Sequence, residues 1–192
     1  ACRSWKDDYA SLLVETFGEA QGTNVLSEFP DAFPAGYRER FAAHSAVVDM
    51  QHLLSLSAER KLVMSFYQPL ASTEQQLHCK LYHADSPLAL SDVLPILENL
   101  GLRVLGEFPY RLRQQNGREL WIHDFAFTYA EGLDVDIQQL NDTLQDAFVH
   151  IVEGEAENDA FNRLVLTAAM PWRDVALLRA YARYLKQIRL GF

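Results

Sequence analysis

The spacing of apolar residues between positions 85 and 110 predicts one helix that leads into one strand. We expect Ser91 or Asp92 to cap the helix, with Pro95 at its third position if Asp92 is the cap, and Gly101 to end it. Its apolar residues recur at the spacing of a helix packed by one side: Val93, Leu94, Ile96, Leu97 and Leu100. After Gly101 the period becomes two, which predicts a strand with one mostly apolar face: Leu102, Val104, Gly106, Phe108 and Tyr110.

The first 57 residues predict helices. Ser4 is expected to cap a helix that ends at Gly18. Residues 18 to 43 contain several glycines and prolines, which predict short helical pieces separated by turns. A further helix is expected from about Ser45 to Leu56. Its predicted apolar side holds Val47, Val48, His52 and Leu56.

The middle of the chain predicts four strands and two helices. Strands are expected near Lys61 to Gln68, Gln76 to His83, Leu102 to Arg113 and Glu119 to Tyr129. The pair Asn116-Gly117 predicts a hairpin between the last two of them. A helix from Asp136 to about Glu153 follows, with one apolar stripe: Leu140, Leu144, Ala147, Phe148 and Ile151.

The order strand, strand, helix, strand, strand, helix predicts an α+β fold. We expect a two-layer sandwich in which a four-stranded antiparallel-type sheet carries its helices on one face. Six residues should then be nearly fully buried between the layers: Leu97, Leu100, Val104, Phe108, Leu144 and Phe148.

The C-terminal part predicts two more helices and differs in charge. Phe161 to Thr167 reads as a short helix, and Pro171 is expected to be the first residue of a longer one that runs to about Leu190. Residues 171–192 carry a net charge of +4, so the remainder carries −13. This helix either docks on an acidic surface, in this chain or a neighbour, or shows a solvated basic face. Its predicted apolar side holds Leu178, Tyr181, Ala182, Leu185 and Ile188.

These elements predict three segments. Residues 1–57 form an N-terminal helical segment, residues 58–154 form the α+β sandwich, and residues 155–192 form a C-terminal helical segment. The sequence contains no internal repeat that would suggest a solenoid.

Composition limits the class of protein. With a net charge of −9, the chain is a poor candidate for binding nucleic acid or an anionic membrane, because both need a basic patch. Its apolar runs are shorter than the roughly 20 residues that span a bilayer. Two cysteines, Cys2 and Cys79, are too few for a disulfide framework or a zinc site, which favours a cytoplasmic location. Cys79 alternates with Leu77 and Leu81, which favours a small core residue over a reactive thiol.

The candidate chemistry is sparse. Trp121, His123 and Asp124 lie on one predicted strand, where alternation separates His123 from Asp124 and favours an aromatic sheet face over a catalytic pair. His44 and His52 read as helix-surface histidines, because no third metal ligand lies nearby. The glycines do not follow the GxGxxG or GxxxxGK[ST] order of nucleotide sites. We therefore assign no catalytic, cofactor-binding or metal-binding residue.

The acidic run that leaves the sandwich has two interpretations. It contains Glu153, Glu155, Glu157 and Asp159. We favour a solvated connector over a calcium loop, because the spacing of oxygen ligands and glycine in such a loop is missing.

Part of the sandwich resembles ACT domains, small regulatory modules that often bind amino acids. The run Asp85 to Leu90, the helix after it and Gly101-Leu102-Arg103-Val104 are similar to the loop, first helix and second strand of those domains. This sequence has Leu88 where the pattern has glycine. A glycine gives the backbone room to approach a ligand, so we expect no tight amino-acid site there.

Four stretches, in order along nearly the whole chain, resemble the large bacterial NAD-specific glutamate dehydrogenases: Ala32 to Phe41, Leu90 to Tyr110, Leu120 to Phe125 and Phe161 to Gln187. The resemblance is to a region ahead of the catalytic core. It implies a fragment of an enzyme that oxidatively deaminates L-glutamate to 2-oxoglutarate and ammonia with NAD. No lysine here lies in a glycine-rich setting like that of the substrate lysine, so the fragment alone is predicted to be inactive.

The resemblance also implies the partners. They are the remainder of the parent chain and a second copy of the chain, and the fragment itself should need no cofactor. The alternative is a complete ACT-like module that binds a small molecule or forms a dimer.

Overall fold

The computed structural model describes residues 4–69, 76–85, 88–130 and 137–188, with the backbone alone at 137–140. The helices are α1 (Trp5–Phe17), α2 (Glu19–Glu28), α3 (Ala35–Arg40), α4 (Ala43–Leu54), α5 (Leu90–Asn99), α6 (Ile137–Val152), a 3-10 helix (Ala160–Asn162), α7 (Arg163–Thr167) and α8 (Trp172–Gln187). The strands are β1 (Leu62–Tyr67), β2 (Gln76–Ala84), β3 (Arg103–Arg113) and β4 (Glu119–Thr128). The polar stretch from Pro69 to Gln75 predicts a hairpin between the first two strands, but its residues 70–75 lie outside the described residues. The predicted helix start at Asp136, the side chain of Leu140 and the predicted helix end at Leu190 lie outside them as well.

The four strands form one sheet in the order β1-β2-β4-β3. β2 leads through α5 to β3, which is not its neighbour, because β4 lies between them. The hairpin between β3 and β4 turns where predicted, with Gly117 at a φ of 90°. The predicted α+β fold, with a four-stranded antiparallel sheet and helices, is confirmed.

Two of the six residues predicted to be nearly fully buried are not, because β3 lies at an edge of the sheet. Leu97, Leu100 and their α6 counterparts Leu144 and Phe148 are buried as expected. Phe108 is 45% exposed and Val104 is only half-buried. An edge strand has a neighbour on one side alone, so its side chains are covered less than those of a central strand.

The other edge of the sheet is covered by side chains of α6. The backbone N–H of Met64 donates to Oε1 of Gln145, and that of Phe66 donates to Oδ1 of Asn141, both at 2.9 Å. These bonds occupy edge donors of β1 that would otherwise be open to another strand.

Helix α5 begins earlier than the sequence suggested. Ala89 is its N-cap, without a side-chain hydrogen bond, so the predicted caps Ser91 and Asp92 are wrong. Pro95 is consequently the sixth helical residue and removes one bond of the helical ladder. The predicted stop is confirmed: Gly101 has a φ of 93° and donates to the Glu98 carbonyl, while the next N–H donates to that of Leu97. This double closure is a Schellman motif, which needs a left-handed residue at the glycine.

Two compact units divide the chain and are described separately. The first comprises residues 1–63, 80–87 and 108–124, and the second comprises 64–79, 88–107 and 125–192. In the first, an apolar cluster joins the N-terminal helices to strand residues, among them Tyr9, Leu13, Phe33, Tyr37, Met50, Tyr82, Leu112 and Ile122. In the second, the buried residues include Leu97, Leu100, Phe125, Phe127, Leu144, Phe148, Val165 and Leu166.

The N-terminal helices form as predicted. Ser4 caps α1 in a capping box, since its side chain accepts from the Asp7 N–H and Asp7 accepts from the Ser4 N–H. Gly18 ends α1 with a φ of 83°, and α2 and α3 are the predicted short pieces.

The buried face of α4 differs from the prediction. Val48 is 37% exposed, whereas the side turned inward holds Ala43, Ala46, Val47, Asp49, Met50 and Leu53. The helix begins two residues earlier than expected, and the stripe of Ala46, Met50 and Leu53 sets its orientation. A carboxylate, Asp49, lies within that stripe.

Helices α1 and α2 approach each other closely at Gly22 of α2, and a substitution there tests this approach. A Cβ at Gly22 would lie 2.8 Å from Cα of Val14, so backbone would have to move. We expect Gly22→Ala to lower the free energy of unfolding by about 1–3 kcal/mol, the usual cost of overpacking. Gly36→Ala in α3 is the control, since a Cβ there meets nothing within 4 Å and alanine favours a helix. Urea melts should separate the two variants, and equal stability would contradict the close approach.

Helix α8 docks by a face that the sequence did not predict. Pro171 is its N-cap rather than its first residue. Val175 and Arg179 are the buried residues of α8, whereas Leu178 and Tyr181 on the predicted apolar side are exposed. The polar contacts of Arg179 orient the helix. The spacing of apolar residues cannot predict such contacts.

Candidate functional site

A buried polar cluster of the first unit is centred on Asp49. Its Oδ2 accepts from Nζ of Lys80 at 2.6 Å and from the hydroxyl of Tyr37, and its Oδ1 accepts from the hydroxyl of Tyr82 at 2.9 Å. Asp49 and Lys80 are 3% and 4% exposed. The carboxylate thus holds α3, α4 and β2 together through three charge-assisted bonds.

Aromatic rings surround the ammonium group of this pair. Nζ of Lys80 lies 3.7 Å from the ring centroid of Phe41 and 5.3 Å from that of Tyr37. A cation over a ring face is stabilised by the ring quadrupole, more so when water is excluded. With both carboxylate oxygens bonded and the ammonium packed on rings, the arrangement suits a structural role better than proton transfer to a substrate.

Sequence reasoning missed this cluster. Lys80 lies within the predicted strand from Gln76 to His83, and the apolar pattern assigns a role neither to it nor to Asp49. The available signal was an acidic residue inside the stripe Ala46, Met50 and Leu53, together with a lysine between Cys79 and Leu81 of a buried strand. Cys79 itself is buried, as predicted.

The structure separates the predicted residues His123 and Asp124. Nε2 of His123 lies 3.0 Å from Nε2 of His83, and the ring of Trp121 stacks on both imidazoles. Asp124 pairs with Arg40, whose Nη2 is 3.4 Å from its Oδ2. His123 and Asp124 therefore have different partners, which agrees with the predicted aromatic sheet face.

Arg40 also explains why an exposed phenylalanine is tolerated on β3. Its guanidinium carbon lies 3.8 Å from the ring centroid of Phe108. Arg40 also affects Tyr110. Burial raises the pKa of Tyr110 above its ordinary value, and the positive charge of Arg40 offsets part of that rise. These contacts form a packed surface around a buried carboxylate.

The two helix histidines of α4 lie in different environments. His44 is exposed, whereas the ring of His52 packs 4.9 Å from that of Tyr82. Burial lowers the pKa of His52, so its neutral form is favoured. Among the described ranges, no group of three or more His, Cys, Asp or Glu side chains is placed to hold a metal ion.

In the second unit the acidic run binds α8. Nε and Nη2 of Arg179 donate to the two carboxylate oxygens of Asp159 at 2.7 and 2.9 Å, and Nη2 also donates to Oδ1 of Asn162 at 2.8 Å. Arg183 pairs with Glu157 nearby. Of the two interpretations of the basic helix, docking on an acidic surface of this chain describes these contacts.

The pairing of Asp159 predicts a pH dependence. The hydrogen bond from Arg179 holds the pKa of Asp159 below its ordinary value, against the opposing effect of burial. A lowered carboxyl pKa adds stability above the unfolded value near 4, and this stability is lost as pH falls through the folded value. Asp159→Asn should therefore be less stable than the parent sequence at pH 7, with a gap that closes between about pH 5 and pH 2. Denaturant melts across this range would show it, and a constant gap would contradict it.

An open cleft of about 310 Å³ lies at the end of α5 in the second unit. The stem of Arg163 lies against Gly101, where an added Cβ would be 3.2 Å from its Cγ. The cleft carries charges of both signs and does not select one kind of ion. It is lined by Glu98, Gly101, Leu102, Arg103, Ala130, Arg163, Leu166 and Thr167.

These observations define a class of protein. An antiparallel α+β sheet carries helices, and its buried charges are paired within the fold. No helix in the described ranges has both the length and the apolar character needed to cross a membrane. The class is that of an antiparallel α+β domain with helical flanks.

Comparison with known families identifies the region. Residues 12–56 match the model for helical motif 2 of glutamate dehydrogenase, residues 61–140 match its ACT3 domain, and residues 156–192 match its helical motif 3. The chain therefore belongs to the glutamate dehydrogenase family and corresponds to these three consecutive parts of it.

Three similar proteins carry the name NAD-specific glutamate dehydrogenase. The one from Pseudomonas aeruginosa is 86% identical over 192 residues, which is all of this chain. The one from Halomonas elongata is 47% identical over 98% of the chain, and the one from Mycobacterium tuberculosis is 27% identical over 97%. In each case the chain spans only 12% of the relative's length.

Proposed function

We propose that this chain is a non-catalytic structural and regulatory region of an enzyme that converts L-glutamate and NAD to 2-oxoglutarate and ammonia. The observation that carries the proposal is the 86% identity to an NAD-specific glutamate dehydrogenase over the entire chain. Residues 1–57, 58–154 and 155–192 would be its helical, ACT-like and second helical segments. The enzyme would be cytoplasmic, would use NAD at a site in another part of the polypeptide, and would bring this region against the remainder of the parent chain or a second copy.

The described side chains support a role in architecture. In the described part of the chain, the buried charged residues Asp49, Lys80, Asp124 and Arg179 each pair within their own compact unit. Catalytic groups need a reacting atom within hydrogen-bond reach, which a carboxylate saturated by three donors does not offer. A region built in this way can hold its shape while larger parts of the enzyme move.

The full-length parent tests the proposed activity. Reduction of NAD in the presence of L-glutamate should be saturable in both substrates. A purified parent that folds and shows no such turnover would overturn the proposal.

The isolated 192-residue chain should show no turnover and no NAD binding. The reason is that its glycines do not form a loop that cradles phosphates. Calorimetry with NAD and an assay with glutamate check this, with the full-length parent as the positive control. Saturable binding of NAD in the micromolar range by the isolated chain would contradict a non-catalytic role.

A further inference from the structure

Helix α8 is fixed to its own unit by one face. Val175 and Arg179 are buried, and the ring of Trp172 stacks 4.4 Å from that of His150 on α6. Together with the bidentate bond between Arg179 and Asp159, these contacts determine which side of α8 faces outward.

The outward side of α8 is apolar. Leu177, Tyr181, Tyr184 and Ile188 repeat at intervals of four, three and four residues, and Leu178 extends the same surface. These five side chains, here called the outer stripe, are 40–58% exposed in the described part of the chain. An exposed apolar stripe on a helix whose opposite side is already fixed is typical of a surface that another segment covers.

The spacing of the outer stripe suits a helical partner. Apolar residues at alternating intervals of three and four form the seam by which two helices interlock side chains. The charged residues of the fixed face are already used: Arg179 binds Asp159, and Arg183 binds Glu157. The outer stripe would therefore recognise apolar side chains rather than a charged surface.

The size of the outer stripe favours a partner in the same polypeptide. From Leu177 to Ile188 it is about 17 Å long on a helix about 10 Å wide. A strip of this length and width has a much smaller area than the ~800 Å² that each partner buries in a stable interface between free proteins. A tethered segment needs less, since a linker supplies an effective concentration in the millimolar range. The relatives extend far beyond the matched region, which is 12% of their length.

We infer that the outer stripe is the docking surface for an amphipathic helix from the part of the parent enzyme outside these 192 residues. The occupant presents leucine-like and aromatic side chains at three- and four-residue spacing and makes α8 a bridge between this region and the rest of the enzyme. The inference rests on the proposed function, because it takes the chain as one region of a larger protein.

A photo-cross-linker placed in the full-length parent tests the inference. p-Benzoylphenylalanine in place of Tyr181 keeps an aromatic side chain in the outer stripe. After irradiation, the main product should run at the mass of one polypeptide and join position 181 to a residue outside these 192. The control places the same group at Gln187, an exposed position a third of a turn away. Its yield should be lower by on the order of tenfold, because a packed surface holds the reactive group in contact.

Each other product would overturn the inference. A covalent dimer would mean that a second copy covers the outer stripe, and a cross-link within these 192 residues would mean that the region covers itself. A product with a separate protein, or equal yields at both positions, would exclude an intramolecular partner. Glutamate-dependent NAD reduction is measured on the same samples. Activity without the expected cross-link removes this inference alone, whereas an inactive unmodified parent removes the proposed function.

Discussion

Leu97→Ala is expected to lower the free energy of unfolding of this chain by about 2–5 kcal/mol, the range for removing a buried leucine from a core that only partly collapses. Leu97 is 1% exposed on α5, and its carbonyl also accepts the N–H of Leu102 in the motif that ends the helix. The substitution removes the packing of the side chain and leaves in place the backbone carbonyl that accepts the Leu102 N–H, so the expected loss comes from the core. Denaturant melts at one pH measure the effect.

Glu98→Ala is the matched control for this substitution. Glu98 is the next residue of α5 and is exposed, so its replacement should change the free energy of unfolding by no more than about 0.5 kcal/mol. Equal losses at the two positions would mean that α5 does not present this face to the core.

The periodicity of apolar residues predicted the elements of this fold well. The strands and helices of the sandwich come from alternation and from the 3.6-residue period, and Ser4, Gly18, Gly101 and Gly117 mark ends by backbone chemistry that is local in sequence. Local signals of this kind need no knowledge of the neighbours in space.

What the sequence did not reveal depends on those neighbours. The exposure of Phe108 follows from the outer place of β3 in the strand order, which sequence does not state. The orientation of α8 follows from Arg179, which is buried because Asp159 and Asn162 meet it there. A periodicity argument counts arginine as polar and places it outward. It therefore predicts that Leu178 and Tyr181 are buried, whereas both are exposed.

For function too, the sequence predicted one part and not another. Resemblance along the whole chain pointed to the glutamate dehydrogenase family, which the family models bear out for residues 12–56, 61–140 and 156–192. The pairing of Asp49 with Lys80 could not be predicted, because the two residues are 31 positions apart and lie on different kinds of element. Only packing of α4 against β2 brings them together.

This pair carries the second large expected effect. Asp49→Asn should lower the free energy of unfolding by about 3–5 kcal/mol, the usual loss when one member of a buried ion pair is removed. The side chain keeps its shape, but Lys80 would remain buried without a counter-charge. Tyr37 and Tyr82 would also donate to a neutral acceptor, and hydrogen bonds to charged groups are the stronger ones.

The exposed pair of Lys6 and Asp31 is the matched control. Its N–O distance is also 2.6 Å, but both side chains are in solvent. Asp31→Asn should therefore have a much smaller effect than Asp49→Asn, because water screens exposed charges. Equal losses for the two variants in urea melts would show that the burial of Asp49 and Lys80 has no energetic consequence.

A double variant separates the loss of the pair from the loss of Asp49 alone. Lys80→Met keeps a long apolar stem against Phe41 and removes the cation. If the cost of Asp49→Asn comes from the charge left on Lys80, the double variant should be more stable than Asp49→Asn by at least about 1 kcal/mol, since residues of one ion pair are coupled. Simple addition of the two single losses would instead mean that Lys80 tolerates burial without Asp49, and the cluster would then not be the polar centre that joins α3, α4 and β2.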